Sequence, residues 1–117
     1  MTKPETNLTN KIIRELRKLP NSKVVKIHGG PYQEAGLPDI HATLNGRSVW
    51  LEVKIAPNRA TPLQEKQLRE LRTAGAIAEV VYSVEQAMEL VRIVSLEVDE
   101  PEECLIDRAM YGLPRGL

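Results

Sequence analysis

The stretch Asp39-Ile40-His41-Ala42-Thr43-Leu44-Asn45-Gly46-Arg47-Ser48-Val49-Trp50-Leu51-Glu52-Val53-Lys54 reads as two β-strands joined by a two-residue turn at Asn45-Gly46. That turn sets the register: Leu44 opposes Arg47, His41 opposes Trp50, and Asp39 opposes Glu52. Side chains alternate along each arm. Ile40, Ala42 and Leu44 share a face with Val49, Leu51, Val53 and Ile55, while Asp39, His41, Thr43, Trp50, Glu52 and Lys54 share the other. One face is therefore expected to be core and the other to carry the chemistry.

Directly opposed residues of an antiparallel pair have Cβ atoms about 4.5–5.5 Å apart, and two like charges at that distance destabilise the sheet. Asp39 and Glu52 consequently call for a positive group between them, for which a divalent metal ion is the natural candidate. Lys54 lies two residues beyond Glu52 on the same face and diagonal to Asp39, within reach of whatever such an ion holds.

Working outward, Asn7 to Leu19 has helical period, with Leu8, Ile12, Ile13, Leu16 and Leu19 in one stripe, stopped by Pro20 and Asn21. Lys23 to His28 is a short strand, and Gly29 to Gly36 a glycine-rich loop leading into Asp39. After the hairpin and a loop at Ala56 to Ala60, Thr61 is an N-cap with Pro62 at the first helical position and Gln64 in the capping-box position. That helix ends at Gly75. Ile77 to Tyr82 is a fourth strand, and Ser83 with Gln86 opens a last helix carrying Ala87, Leu90, Val91 and Val94. The predicted order is α-β-β-β-α-β-α, an α/β fold with a mixed four-stranded sheet flanked by helices. Residues 1–95 form the domain and residues 96–117 an acidic tail.

The 117 residues are one domain by length, and with no Phe and 3% aromatics the core must be built from Leu, Ile, Val and Ala. One cysteine, Cys104, excludes an internal disulfide; no apolar run is long enough to span a bilayer and the start is too polar for a signal peptide. A reducing, cytoplasmic setting is expected. Net charge is zero but unevenly spread: residues 1–82 hold 13 Lys or Arg against 8 Asp or Glu, and residues 83–117 hold 3 against 8. A body of charge +5 is compatible with a nucleic-acid partner.

Gly36-Leu37-Pro38-Asp39, then Glu52-Val53-Lys54, then Gln64 resembles the PD-(D/E)xK nuclease superfamily, and within it the VRR-NUC domains that stand alone in phages and are fused in the Fanconi-associated nuclease. The resemblance covers residues 5–92. It implies a restriction-endonuclease-like core in which Asp39, Glu52 and the backbone carbonyl of Val53 hold Mg²⁺ or Mn²⁺, Lys54 is a catalytic amine and Gln64 supports the site. The family also places a glutamate on its first helix. Glu5 falls at the centre of the apolar stripe at about 100° per residue, whereas Glu15 lies roughly 75° to one side, so Glu5 is chosen as the further ligand and catalytic carboxylate. One metal or two stays open at this point.

The expected activity is hydrolysis of DNA phosphodiester bonds by a divalent-metal-dependent endonuclease, with branched or Holliday-junction DNA as the substrate class of resolvase-like relatives and a homodimer as the arrangement that addresses two strands. Were the source a phage, the location would be the host cytoplasm. Lys11, Arg14, Lys18, Lys26, Arg59, Lys66, Arg69 and Arg72 are candidate phosphate contacts. His41 is read as a satisfied or exposed histidine, because hard oxygen-seeking ions rarely recruit imidazole; His28, Gln33 and Glu34 lie where substrate contact is conceivable. Two rival readings are a DNA-binding module without catalysis and an interaction protein whose acidic tail covers its own basic face.

Overall fold

Pro4 occupies the first position of the opening helix with Glu5 in its first turn, an arrangement in which the missing proline N–H costs nothing and the carboxylate meets the positive end of the helix dipole. Helix α1 therefore runs Pro4–Leu16, one turn earlier at each end than the apolar period suggested. The structure, a computed structural model, describes residues 3–97. Leu19 still packs against the core, but from a turn closed by its N–H on the Leu16 carbonyl, and Asn21, at φ 54°, reverses the chain into β1 (Ser22–Lys26).

Strands β2 (Ile40–Leu44) and β3 (Arg47–Val53) form the hairpin in the expected register, from Leu44 opposite Arg47 to Ile40 opposite Leu51. Asn45 and Gly46 both take left-handed backbone, at φ 51° and 83°, which matches the twist of the flanking strands. Helix α2 (Pro62–Thr73) opens with the full capping box: Gln64 N–H donates to Thr61 Oγ1 and Thr61 N–H donates to Gln64 Oε1. Gly75, at φ 104°, ends it. β4 (Ile77–Val81) follows, and then α3 (Val84–Glu97), which runs two residues past the domain boundary expected at residue 95. The remainder of the expected acidic tail lies outside the described residues.

The sheet order is β1-β2-β3-β4, antiparallel except for the β3–β4 pair, which α2 joins as a parallel crossover. Helices α1 and α3 pack together over one face, where Ile12, Ile13, Leu16, Ala87, Val91 and Val94 meet Ile40, Ala42, Leu44, Val49, Leu51 and Val53. Helix α2 lies on the other face against β4, burying Leu68 and Ala78 outside that cluster. The second face is consequently not open as the bare alternation implied: Glu52, which alternates with Leu51 and Val53, is 2% exposed. This covering is what turns a polar strand residue into a buried carboxylate.

Candidate functional site

Asp39 stands one step beyond the last paired residues of the hairpin, opposite Glu52 as the turn dictates. Its backbone carbonyl accepts from Ile27 N–H at 2.8 Å, extending the β1–β2 ladder by one rung, and its side-chain Oδ2 accepts from Val53 N–H at 2.8 Å. Both bonds fix the carboxylate at the end of β3. Lys54 N–H meanwhile donates to the Val81 carbonyl at 3.1 Å, so the strand is held on both sides where its functional residues sit.

Glu52 is buried, and one of its oxygens, Oε1, has no hydrogen-bond partner. The other, Oε2, lies 3.5 Å from Lys54 Nζ, whose side chain is 11% exposed. Burial pushes the Glu52 carboxyl up, the neighbouring Asp39 adds to the shift, and the Lys54 ammonium opposes it; the result is a pKa raised to about 8. An unsatisfied buried oxygen costs roughly 1–3 kcal/mol. The fold tolerates that cost at a position where two carboxylates face each other beside one cation, a donor set of hard oxygens that suits a divalent ion.

The sequence-based ligand set is only partly brought together. Glu5 is half-buried on the first turn of α1, where its backbone carbonyl accepts from Thr9 Oγ1, and among the described residues no group of three or more His, Cys, Asp or Glu side chains is arranged to hold a metal ion. The reason is architectural: α1 packs on the aliphatic face of the sheet, whereas Glu52 points to the opposite one. Glu15 pairs with Lys18 at the surface. Gln64 spends its side-chain oxygen on the capping box.

Sequence reasoning missed a different glutamine. Gln67 is 4% exposed, and its Nε2 donates to Glu34 Oε2 at 2.7 Å and to the Ala35 carbonyl at 3.0 Å. It thereby ties α2 to the loop that leads into Asp39. Two residues on, Gly36 takes φ +84° with its Cα so close to Leu63 that a Cβ would lie 2.7 Å from Leu63 Cγ. The signal was present: Gln64, Gln67, Leu68 and Leu71 recur at the spacing of an inward helical stripe. Gln67→Leu should leave the Ala35 carbonyl without its donor and free Glu34, costing about 1–3 kcal/mol. The check is a lower urea midpoint together with faster proteolysis between residues 33 and 37; unchanged protection there would show that Gln67 does not hold the loop.

A cavity of about 360 Å³ opens beside this loop, lined by His28, Gly30, Gln33, Glu34, Gly36 and Asp39 among others. His41 stacks on Trp50 with ring centroids 4.1 Å apart, and Ser48 Oγ accepts from Trp50 Nε1 and lies 3.3 Å from His41 Nε2. Burial holds the His41 imidazole below its usual value, so it is a neutral, satisfied cross-strand partner. The candidate phosphate contacts divide. Lys11 and Arg14 are exposed on α1 and Lys18 in the turn that follows it, with Lys26 reaching Asn10 Oδ1; Lys66 and Arg69 are exposed on α2, and Arg59 is exposed in the loop before it. Lys66 pairs with Glu70, and Arg72 donates to the Ala78 carbonyl and pairs with Glu79.

No family model matches the sequence, and no curated protein matches it closely. Among solved structures, one described as a VRR-NUC domain superposes with a TM-score of 0.66 at 24% identity, over 78% of this chain and 97% of its own. A second, described as a VRR-NUC domain protein, superposes with a TM-score of 0.62 at 15% identity, over 79% of this chain and 88% of its own. Among the described residues no helix is long and apolar enough to cross a membrane. The α-β-β-β-α-β-α chain with its mixed sheet thus has the fold of a VRR-NUC domain.

Proposed function

We propose that the chain is a divalent-metal-dependent DNA endonuclease whose centre is Asp39, Glu52 and Lys54. The observation that carries this reading is the Glu52 carboxylate, buried with Oε1 unpartnered, next to a second carboxylate and a nearly buried ammonium. Burying such a set without a ligand is costly, and a scaffold has no structural need for it. The likeness to VRR-NUC domains supports a nuclease-type domain and DNA as its substrate.

Asp39 and Glu52 would hold Mg²⁺ or Mn²⁺, with the Val53 carbonyl as a further ligand. When bound, such an ion stabilises charge on a phosphoryl oxygen and acidifies a coordinated water. The chain's own contribution is positional. The Val53 N–H orients Asp39, so the carboxylate needs no reorganisation when substrate arrives. Lys54 keeps its ammonium beside Glu52 and places positive charge where the phosphate gains negative charge. The cleft lined by His28, Gly30, Gln33, Glu34, Gly36 and Asp39 receives the backbone being cut. Junction or otherwise branched DNA is the finer substrate we assign, addressed by two copies of the chain.

The test is cleavage of plasmid, linear duplex and four-way-junction DNA by the full chain with Mg²⁺, with Mn²⁺ and with a chelator, beside Glu52→Ala. Cleavage that needs the metal and disappears in Glu52→Ala is expected. Activity that survives either the chelator or the substitution would remove this site from the reaction.

A further inference from the structure

The loop between Ile27 and Asp39 is closed at its base by the Ile27–Asp39 hydrogen bond and is built in two unlike halves. Its second half is fastened to α2, by Gln67 on Glu34 and Ala35 and by the close approach of Gly36 to Leu63. The first half is a Gly29-Gly30 pair, with open space where a Cβ would sit on either, followed by a turn in which Gln33 N–H donates to the Gly30 carbonyl at 3.1 Å. At that turn stands Tyr32, 99% exposed, against 44% for the next most exposed large apolar side chain among the described residues. Gly30, two residues before it, and Gln33, the residue after it, line the cleft that Asp39 lines; Pro31 and Tyr32 do not line it, and Tyr32 stands at its rim.

An aromatic ring held in water at the edge of a cleft does nothing for the fold. In a chain with 3% aromatics and no Phe it is also not a by-product of composition. What a free ring beside a phosphate-receiving cleft can do is stack on a base, an interaction open to every base with a free face and closed to bases already stacked within a duplex. The glycine pair lets the backbone adjust to bring the ring over while the anchored half keeps Asp39 in place. We infer that Tyr32 is a base-stacking contact, selecting DNA in which bases next to the cut phosphate are unpaired or splayed, as at a branch point. This rests on the nuclease reading above and supplies that reading with a physical basis for branch preference.

The experiment compares the full-length wild type with Tyr32→Ala and Tyr32→Phe, binding measured by fluorescence anisotropy in chelator to a splayed-arm oligonucleotide and to the fully paired duplex of the same length. Tyr32→Ala should lose roughly tenfold in affinity for the splayed DNA, change less than about twofold on duplex, and keep the wild-type melting curve; Tyr32→Phe should bind as wild type. A 2-aminopurine placed at the branch should be quenched by wild type and not by Tyr32→Ala. Equal binding by all three proteins, an equal loss on both DNAs, or failure of Tyr32→Phe to hold wild-type affinity would each overturn the stacking role. A protein that cuts in a metal-dependent way but is indifferent to Tyr32 refutes only this inference. One that shows the Tyr32 effect but never cuts refutes only the nuclease reading, and one that binds neither DNA refutes both.

Discussion

Raising the pH from about 6.5 to about 8.5 in the presence of a chelator will lower the melting temperature of the chain by several degrees, and Mn²⁺ added at the upper pH will restore it. The sign follows from Glu52. Its folded pKa is raised to about 8 from an ordinary value of 4.5, so across that interval the folded chain keeps a proton that the unfolded chain has released. Stability falls as pH rises wherever the native state binds more protons than the unfolded one. The contribution is full below 4.5 and gone once the pH has passed 8. His41, held below its ordinary value of 6.5 by burial, slopes the other way, but only below 6.5, where its unfolded form is still charged. The upper window therefore isolates the carboxylate. The part of this shift that lies above pH 6.5 is worth on the order of 2 kcal/mol, and each kcal/mol moves the melting point by roughly 4 °C in a domain of this size. An ion bound between Asp39 and Glu52 requires the ionised form, so its stabilisation grows over the same interval. Scanning calorimetry of the wild type and Glu52→Gln decides the matter. The variant should show a flat profile above 6.5 and no gain from Mn²⁺; a wild-type profile that is equally flat would mean the carboxylate is not held protonated by its surroundings.

How much of this could be seen in the residues depends on whether the governing interaction is local. Asn45-Gly46 dictates a turn by backbone conformation alone, and because side chains alternate with period two, the turn also dictates that Asp39, Glu52 and Lys54 share a face. Thr61-Pro62 with Gln64 was legible for the same reason: a capping box is completed within four residues. The burial of Glu52 was not. Alternation states which way a side chain points, but only the parallel pairing of β3 with β4, and the return of α2 across that face, determine that something covers it. Glu5 shows the limit from the other side. Its place on the stripe of α1 was read from helical period, but which face of the sheet that stripe meets is a property of the whole fold. Gln67 was passed over because Gln64 matched a familiar spacing, although the two lie on the same side of α2 and Gln67 is the buried one.

The remaining large effect separates the two functional side chains that sit 3.5 Å apart. Lys54→Met keeps most of the aliphatic stem, and with it the packing of a side chain that is 11% exposed, while removing the ammonium. Loss of a preorganised charge aimed at a developing anion costs about 10²–10³ in rate. Without the ammonium, Glu52 also loses the one neighbour that lowers its pKa, so the residual activity should rise with pH to a higher value than in the wild type. Glu52→Gln differs in kind. It removes an oxygen anion from the donor set, so cation uptake and cleavage should vanish together, and no increase in pH should recover either. Isothermal titration with Mn²⁺ beside single-turnover cleavage across pH distinguishes these outcomes: Lys54→Met should still take up the ion at alkaline pH, Glu52→Gln should not. If both variants bound Mn²⁺ as the wild type does and lost activity equally, the ion would sit elsewhere, and the buried carboxylate would need a structural explanation that its unpartnered oxygen does not supply.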